Sequence, residues 1–261
     1  MFNLLSITNR SRALPGYARL FCIAVALALG TSAFAQQPQT HLRYEGYWPP
    51  GTVGQYQLRR DIRRVGYTQP VEIQAPQGVM VSMAEGGQFV APQPAPLKVG
   101  LQIGQVYRFQ LSRIPLREGA EIFPTLELID RLHPPEGAKW RFPVPVQISM
   151  DEIDLALAGK FVTRVVYVEN PDNALAHHVD RKFQRYFEVR PDTDPLEVAD
   201  ELGRPIAILR IGSRLPERGG PSDAFLYGSP GWERFPGVEA KPPFEIVPTP
   251  AAPRVRLPRR N

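Results

Sequence analysis

Cysteine is nearly missing from this chain of 261 residues: there is one, Cys22, inside an apolar run near the N-terminus. From Gln36 onward none remains, which excludes disulfides, thiolate metal sites and a cysteine nucleophile there. Equally missing are a G-x-S-x-G elbow, an H-E-x-x-H pair, a phosphate loop and a dinucleotide fingerprint. Ser82, Ser112, Ser213 and Ser222 stand in no recognisable nucleophile context. Triads are defined by geometry rather than by order along the chain, so these absences weaken an enzymatic reading without closing it. No internal repeat is visible, and no strand–helix alternation of the Rossmann or barrel kind.

The first 35 residues hold no acid. Arg10, Arg12 and Arg19 make a positive start, "LFCIAVALALG" (Leu20 to Gly30) is an apolar run of 11 residues, and Ala33 and Ala35 suit a cleavage site after Ala35. This is the pattern of a secretory signal. The run is too short to span a bilayer, which needs about 20 residues. Phe21 stands where a lipoprotein box requires a small residue, so lipid anchoring through Cys22 is not expected. Export is therefore expected, to the periplasm or cell surface, and about 226 residues remain, enough to bury a core without disulfides. The net charge of +5, from 31 basic and 26 acidic residues, falls to +2 once the three signal arginines go. Bulk charge thus says little about partners.

Four regions follow: the signal (1–35), an irregular lead-in (36–70) with a short helix or strand near Val53 to Arg64, a domain (71–216) and a flexible Pro/Arg-rich tail (217–261). In the domain, "VEIQAP", "GVMVSMA", "QVYRFQLSRIP", "IFPTLELIDRL", "FPVPVQIS", "KFVTRVVYVE", "RYFEVRP" and "PIAILRIGSRLP" are short β-branched and aromatic runs separated by Pro, Gly, Asn or Asp. Their spacing predicts a mainly β protein, an immunoglobulin-like antiparallel β-sandwich with one or two short connector helices. In "VYRFQL" the apolar phase reads as Val106, Phe109 and Leu111, with Tyr107 out of step; in "TLELID" Leu126 and Leu128 alternate and Ile129 is one step off.

The acid-rich stretch "SMDEIDLALAGKFVTRVVYVENPD" looks most like a site, yet each acid has a positional reason. Ser149 and Glu152 fit a capping box, and Asp151, Glu152 and Asp154 fall where a helix dipole favours negative charge. Ile153, Ala156 and Leu157 share one apolar face, and Gly159 suits the residue after the C-cap. In "DTDPLEVADELGRP", Asp194 caps, Pro195 takes the first helical position, Glu197 the capping-box position, and Gly203 ends the turn. An EF-hand reading of Asp192 and Asp194 fails, because Leu196 and Glu197 occupy positions 5 and 6.

His177, His178 and Asp180 are weak metal candidates, because adjacent histidines on an extended chain face opposite ways; His133 reads as a turn residue. No cofactor or metal is expected. The candidate binding residues are the aromatics Tyr44, Tyr47 and Trp48, able to stack on sugars or grip a proline-rich peptide, with Trp140 and Trp232 in other loop-like stretches. To these are added the basic cluster Arg59, Arg60, Arg63 and Arg64, in which the last three would share one helix face, and the tail residues Arg254, Arg256, Arg259 and Arg260. Together the arginines suit an anionic lipid or cell-wall polymer, and export argues against nucleic acid.

Three stretches, "IFPTLELIDRLHPPEG", "FPVPVQISMDEIDLALAGKFVTRVVYVENPDNAL" and "DPLEVADELGRPIAILRIGSR", resemble a family of uncharacterised exported proteins from planctomycete-type bacteria. The resemblance runs from about Val71 to Leu215. It implies an export signal and a compact domain of this length, and no activity, ligand or catalytic residue. The leading expectation is a non-enzymatic exported β-sandwich that binds an envelope protein or an anionic cell-surface polymer. The alternative is an exported hydrolase of glycans or peptides, with Glu127, Asp130 and Asp172 brought together by folding.

Overall fold

The structure, a computed structural model, describes residues 48–172, 184, 186–190 and 192–235, all within one unit, Thr40–Asn261. The signal region, Tyr44, Tyr47, His177 to Asp180 and the four tail arginines lie outside the described residues. Among the described residues, no helix is long and apolar enough to cross a membrane.

Two sheets face each other. The first has the order β11 (Glu233–Arg234), β5 (Leu97–Gln102), β1 (Thr68–Gln74), β8 (Val144–Gln147). The second has the order β3 (Gln88–Phe89), β2 (Met80–Glu85), β6 (Val106–Ser112), β7 (Thr125–Leu128), β10 (Gly203–Ile211), β9 (Val162–Glu169), with β4 (Gln93–Pro94) also on β2. Val71, Ile73, Val99, Leu101 and Val146 of the first sheet share one core with Val81, Phe109, Leu111, Leu126, Leu128 and Leu209 of the second. The protein is thus mainly β, two sheets over a common apolar core. Every pairing is antiparallel except β1 with β8, which run parallel from Val71↔Val144 to Gln74↔Gln147. That pair is a feature the sequence pattern did not announce.

On β6 the inward residues are Tyr107, Phe109 and Leu111, two apart as a pleat demands. The reading that set Tyr107 out of step is corrected here: Val106 is the residue off phase. Burying Tyr107 is tolerable because its hydroxyl accepts from the Gln102 amide at 2.9 Å and donates to the Gly231 carbonyl at 3.1 Å. With Tyr107 and Phe109 facing in, Arg108 must face out.

The local signals at the helices hold. In α2 (Met150–Leu157) the Ser149 hydroxyl accepts from the Glu152 amide at 3.2 Å, while the Ser149 amide donates to the Glu152 carboxylate at 2.9 Å. Ile153 and Ala156 are buried, but Leu157 is exposed, so the apolar face is narrower than the spacing suggested. In α3 (Pro195–Leu202) Asp194 accepts from the Leu196 amide at 2.9 Å. The lead-in supplies α1 (Thr52–Arg60), which ends at Arg60 because the chain turns extended at Asp61; Ile62–Arg64 is a separate 3-10 turn. The ordered fold also runs past residue 216, since α4 (Asp223–Leu226) and β11 belong to it.

These helices make the second sheet buried on both sides. On its outer face Val53 of α1 and Leu196 of α3 form an apolar cluster with Ile129 and Ile208, which explains why Ile129 breaks the alternation of β7. Farther along, Phe225 and Leu226 of α4 cluster with Ala84 and Phe123.

Candidate functional site

Between those two outer clusters runs a polar row. Strand register places Arg108 of β6 opposite Thr125 of β7, and Thr125 opposite Arg210 of β10. Glu127 lies on the same face two residues further along β7. All four are buried: Arg108 and Arg210 are 5% exposed, Thr125 4% and Glu127 0%. Charged residues are rarely buried this deeply unless paired, so the partner of each decides its meaning.

Glu127 is fully committed. One carboxylate oxygen accepts from the Gly54 amide at 2.8 Å, capping the N-terminus of α1, where Gly51 offers no side chain. The other oxygen accepts from Arg210 at 2.9 Å. Arg210 in turn donates to the Trp48 carbonyl at 3.3 Å, so one ion pair fixes both the helix and the turn before it. The helix sits close because Gly54 meets Gly104: a Cβ on Gly54 would lie 2.8 Å from the Gly104 Cα. Gly104 itself has φ +81, and a side chain there would run into Leu58.

Arg108 differs. Its guanidinium lies over the Phe225 ring at 4.1 Å and the Tyr227 ring at 5.2 Å. Its only described hydrogen bond is a long one, 3.4 Å, to the Tyr227 hydroxyl, and its buried Nε has no acceptor among the described residues. Burial pulls this guanidinium below its usual pKa; the Tyr227 phenol opposes the shift and Arg214 adds to it. Tyr227 is held in the left-handed region at φ 54, a strained setting for a non-glycine residue.

Over the row opens a cavity of about 480 Å³. Arg108, Thr125, Arg210 and Phe123 form its buried floor; Trp48, Pro49, Pro50, Lys160, Phe161 and Tyr227 stand around it, with Gly159, Gly212, Ser213 and Arg214. Four cations line it and, among the described lining residues, no carboxylate does. Such a floor can hold an anion by charge-assisted hydrogen bonds.

Of the sequence candidates among the described residues, Trp48 alone lines this cavity. Arg59 stacks 5.5 Å from the exposed Tyr56 ring. The shared face expected for Arg60, Arg63 and Arg64 does not form, because α1 stops first. Arg60 is exposed, Arg63 pairs with Asp61 at 3.0 Å, and Arg64 turns inward to Asp130 at 3.0 Å and to Gln57 at 2.6 Å. Trp140 lies across Gly100 on the outer side of the first sheet, edge-on to Phe235 at 5.3 Å.

The three hydrolase candidates do not converge on the cavity. Asp130, 1% exposed, is clamped between Arg64 and Arg204, the latter at 2.8 Å. Glu127 is held as described, and Asp172 is exposed. Among the described residues no group of three or more His, Cys, Asp or Glu stands where it could hold a metal ion.

Sequence reasoning missed Arg108 and Arg210. A signal existed: "VYRFQL", "TLEL" and "AILRI" each carry a single charge in an otherwise uncharged, mostly apolar strand, the mark of a strand covered on both faces. No protein family, curated protein or solved structure matches the chain.

Proposed function

We propose that the protein is a non-enzymatic exported binding module of the bacterial envelope, which engages an anionic group of another envelope component through the cavity on the outer face of its second sheet. The observation that carries this reading is Arg108: a cation 5% exposed whose Nε has no described acceptor, at the floor of a cavity without a carboxylate. Leaving a buried cation uncompensated costs several kcal/mol of folding stability, a cost that a bound anion offsets. The aromatic walls suit recognition, and the buried acids Glu127 and Asp130 are tied to arginines rather than available for proton transfer.

The test is co-sedimentation of the purified protein with native envelope fragments at low and high salt, alongside Arg108→Met. Binding by the wild type, weakened at least tenfold in the variant and reduced by salt, is the expected result. Equal binding by both proteins, or none by either, rejects the cavity as the binding site.

A further inference from the structure

Resting on that reading, the geometry points to the ligand class: we infer that the cavity takes a carboxylated sugar ring of an acidic polysaccharide, carboxylate on Arg108 and ring against the aromatic wall. The charge of the floor sets the first limit. Glu127 neutralises Arg210, which leaves the single charge of Arg108 uncompensated. A monoanion matches this floor; Lys160 and Arg214 are exposed and screened by water.

The shape of the donor sets the second. A guanidinium offers Nε–H and an Nη–H side by side, a planar fork that fits the two oxygens of a carboxylate. In Arg108 the Nε is buried without an acceptor among the described residues and one Nη holds only the long bond to Tyr227, so a carboxylate takes the fork when the Phe225 and Tyr227 rings against it give way. Phosphate sites commonly add helix N-termini or nests of backbone amides. Two helix ends stand at this cavity: Gly159 and Lys160 follow the C-terminus of α2, whose dipole is unfavourable to a second negative charge, and Pro49 and Pro50 precede α1, whose Thr52 and Gly54 amides already donate to the Pro49 carbonyl and to Glu127.

The walls set the third. Phe161 is 68% exposed at the cavity and packs over Gly212, and Trp48 and Tyr227 add two amphipathic rings. A pyranose has an apolar C–H face and a polar rim, so rings receive its face while the hydroxyls of Thr125 and Ser213 meet its rim. At about 480 Å³ the space lies in the range of small-ligand pockets.

The experiment titrates the full-length protein with a short oligogalacturonate, followed by calorimetry, against a neutral oligosaccharide of equal length and inorganic phosphate. The expected result is saturable binding of the oligogalacturonate, at least tenfold weaker in Arg108→Met and several-fold weaker in the surface variant Phe161→Ala, with the neutral sugar and phosphate at least tenfold poorer. Phosphate or neutral sugar binding as well as the uronate overturns the inference, as does uronate binding unchanged in both variants. Silence toward the uronate while Arg108-dependent sedimentation with envelope persists overturns this inference alone; silence in both assays overturns the binding role as well.

Discussion

The two sheets use the same cation–ring contacts on their outer faces in opposite surroundings. Outside the first sheet Lys98 lies 5.4 Å from the Phe235 ring, Lys139 4.9 Å from Trp140, and Arg131 4.8 Å from Tyr67. None of these cations is buried, so each keeps water on its charge and the contacts add little. Outside the second sheet Arg108 makes its ring contact at 4.1 Å while 5% exposed. Its neighbour in the row, Arg210, is equally buried but paired. The contrast separates charge that is tolerated from charge that folding alone does not explain.

The largest effect should come from the paired side of the row. Glu127→Gln keeps the shape but strands Arg210 and weakens the cap on α1, and unfolding titrations should show a loss of about 3 kcal/mol. A loss below about 1 kcal/mol would mean that the pair behaves as a surface contact, and the contrast between the faces would fail.

The tie between the sheets comes next. Tyr107 reaches from β6 to the Gln102 amide of β5, and burial pushes its pKa up to about 12 from 10.0. The raised value means this contribution is complete below pH 10 and lost as pH rises from 10 to about 12. The loss is of order 2–3 kcal/mol. Tyr107→Phe should flatten that part of the stability–pH curve; an unchanged curve would place the alkaline transition elsewhere.

On the open face, Gly100→Ala should cost about 1–2 kcal/mol, because the new Cβ would lie 2.6 Å from the Thr68 Cγ2 and 2.7 Å from the Trp140 Cη2. A shift in tryptophan emission would report the displaced Trp140. The smallest loss of stability is expected at Arg108 itself. Arg108→Met keeps the stem packing and removes an uncompensated charge, so stability should stay within about 1 kcal/mol of wild type or rise, whereas Arg210→Met should lose about 3 kcal/mol. Equal losses at the two arginines would break the comparison.

Features set by neighbours in sequence were legible before the structure. The capping box at Ser149 and Glu152 and the cap at Asp194 follow from spacings of two or three residues, and the two-sheet architecture from the strand texture. In β6 Val106 looks like an anchor alongside Phe109 and Leu111, and with Tyr107 set out of step the strict alternation that puts Arg108 on the opposite face goes unread. The basic cluster was misjudged for a related reason: Asp61 stops the helix that would have aligned its members. The row joins residues 108, 125 and 210, which meet only through strand order. Trp48 was legible as an aromatic of the lead-in, but its place on the cavity depends on Arg210, 162 positions away.

The assembly of the first sheet also has a consequence in time. As the chain emerges from its N-terminus, β1 can pair with β5 once residue 102 is free, and with β8 only after residue 147. The second neighbour of β5, two residues of β11, arrives about 130 positions after β5 ends. Until then β5 keeps an unpaired edge, a template for pairing with another chain, and closing so long a loop is slow. The interval during which the chain is open to aggregation is therefore governed by a strand of only two residues, the last among the described residues, well after the apolar core has its residues in hand.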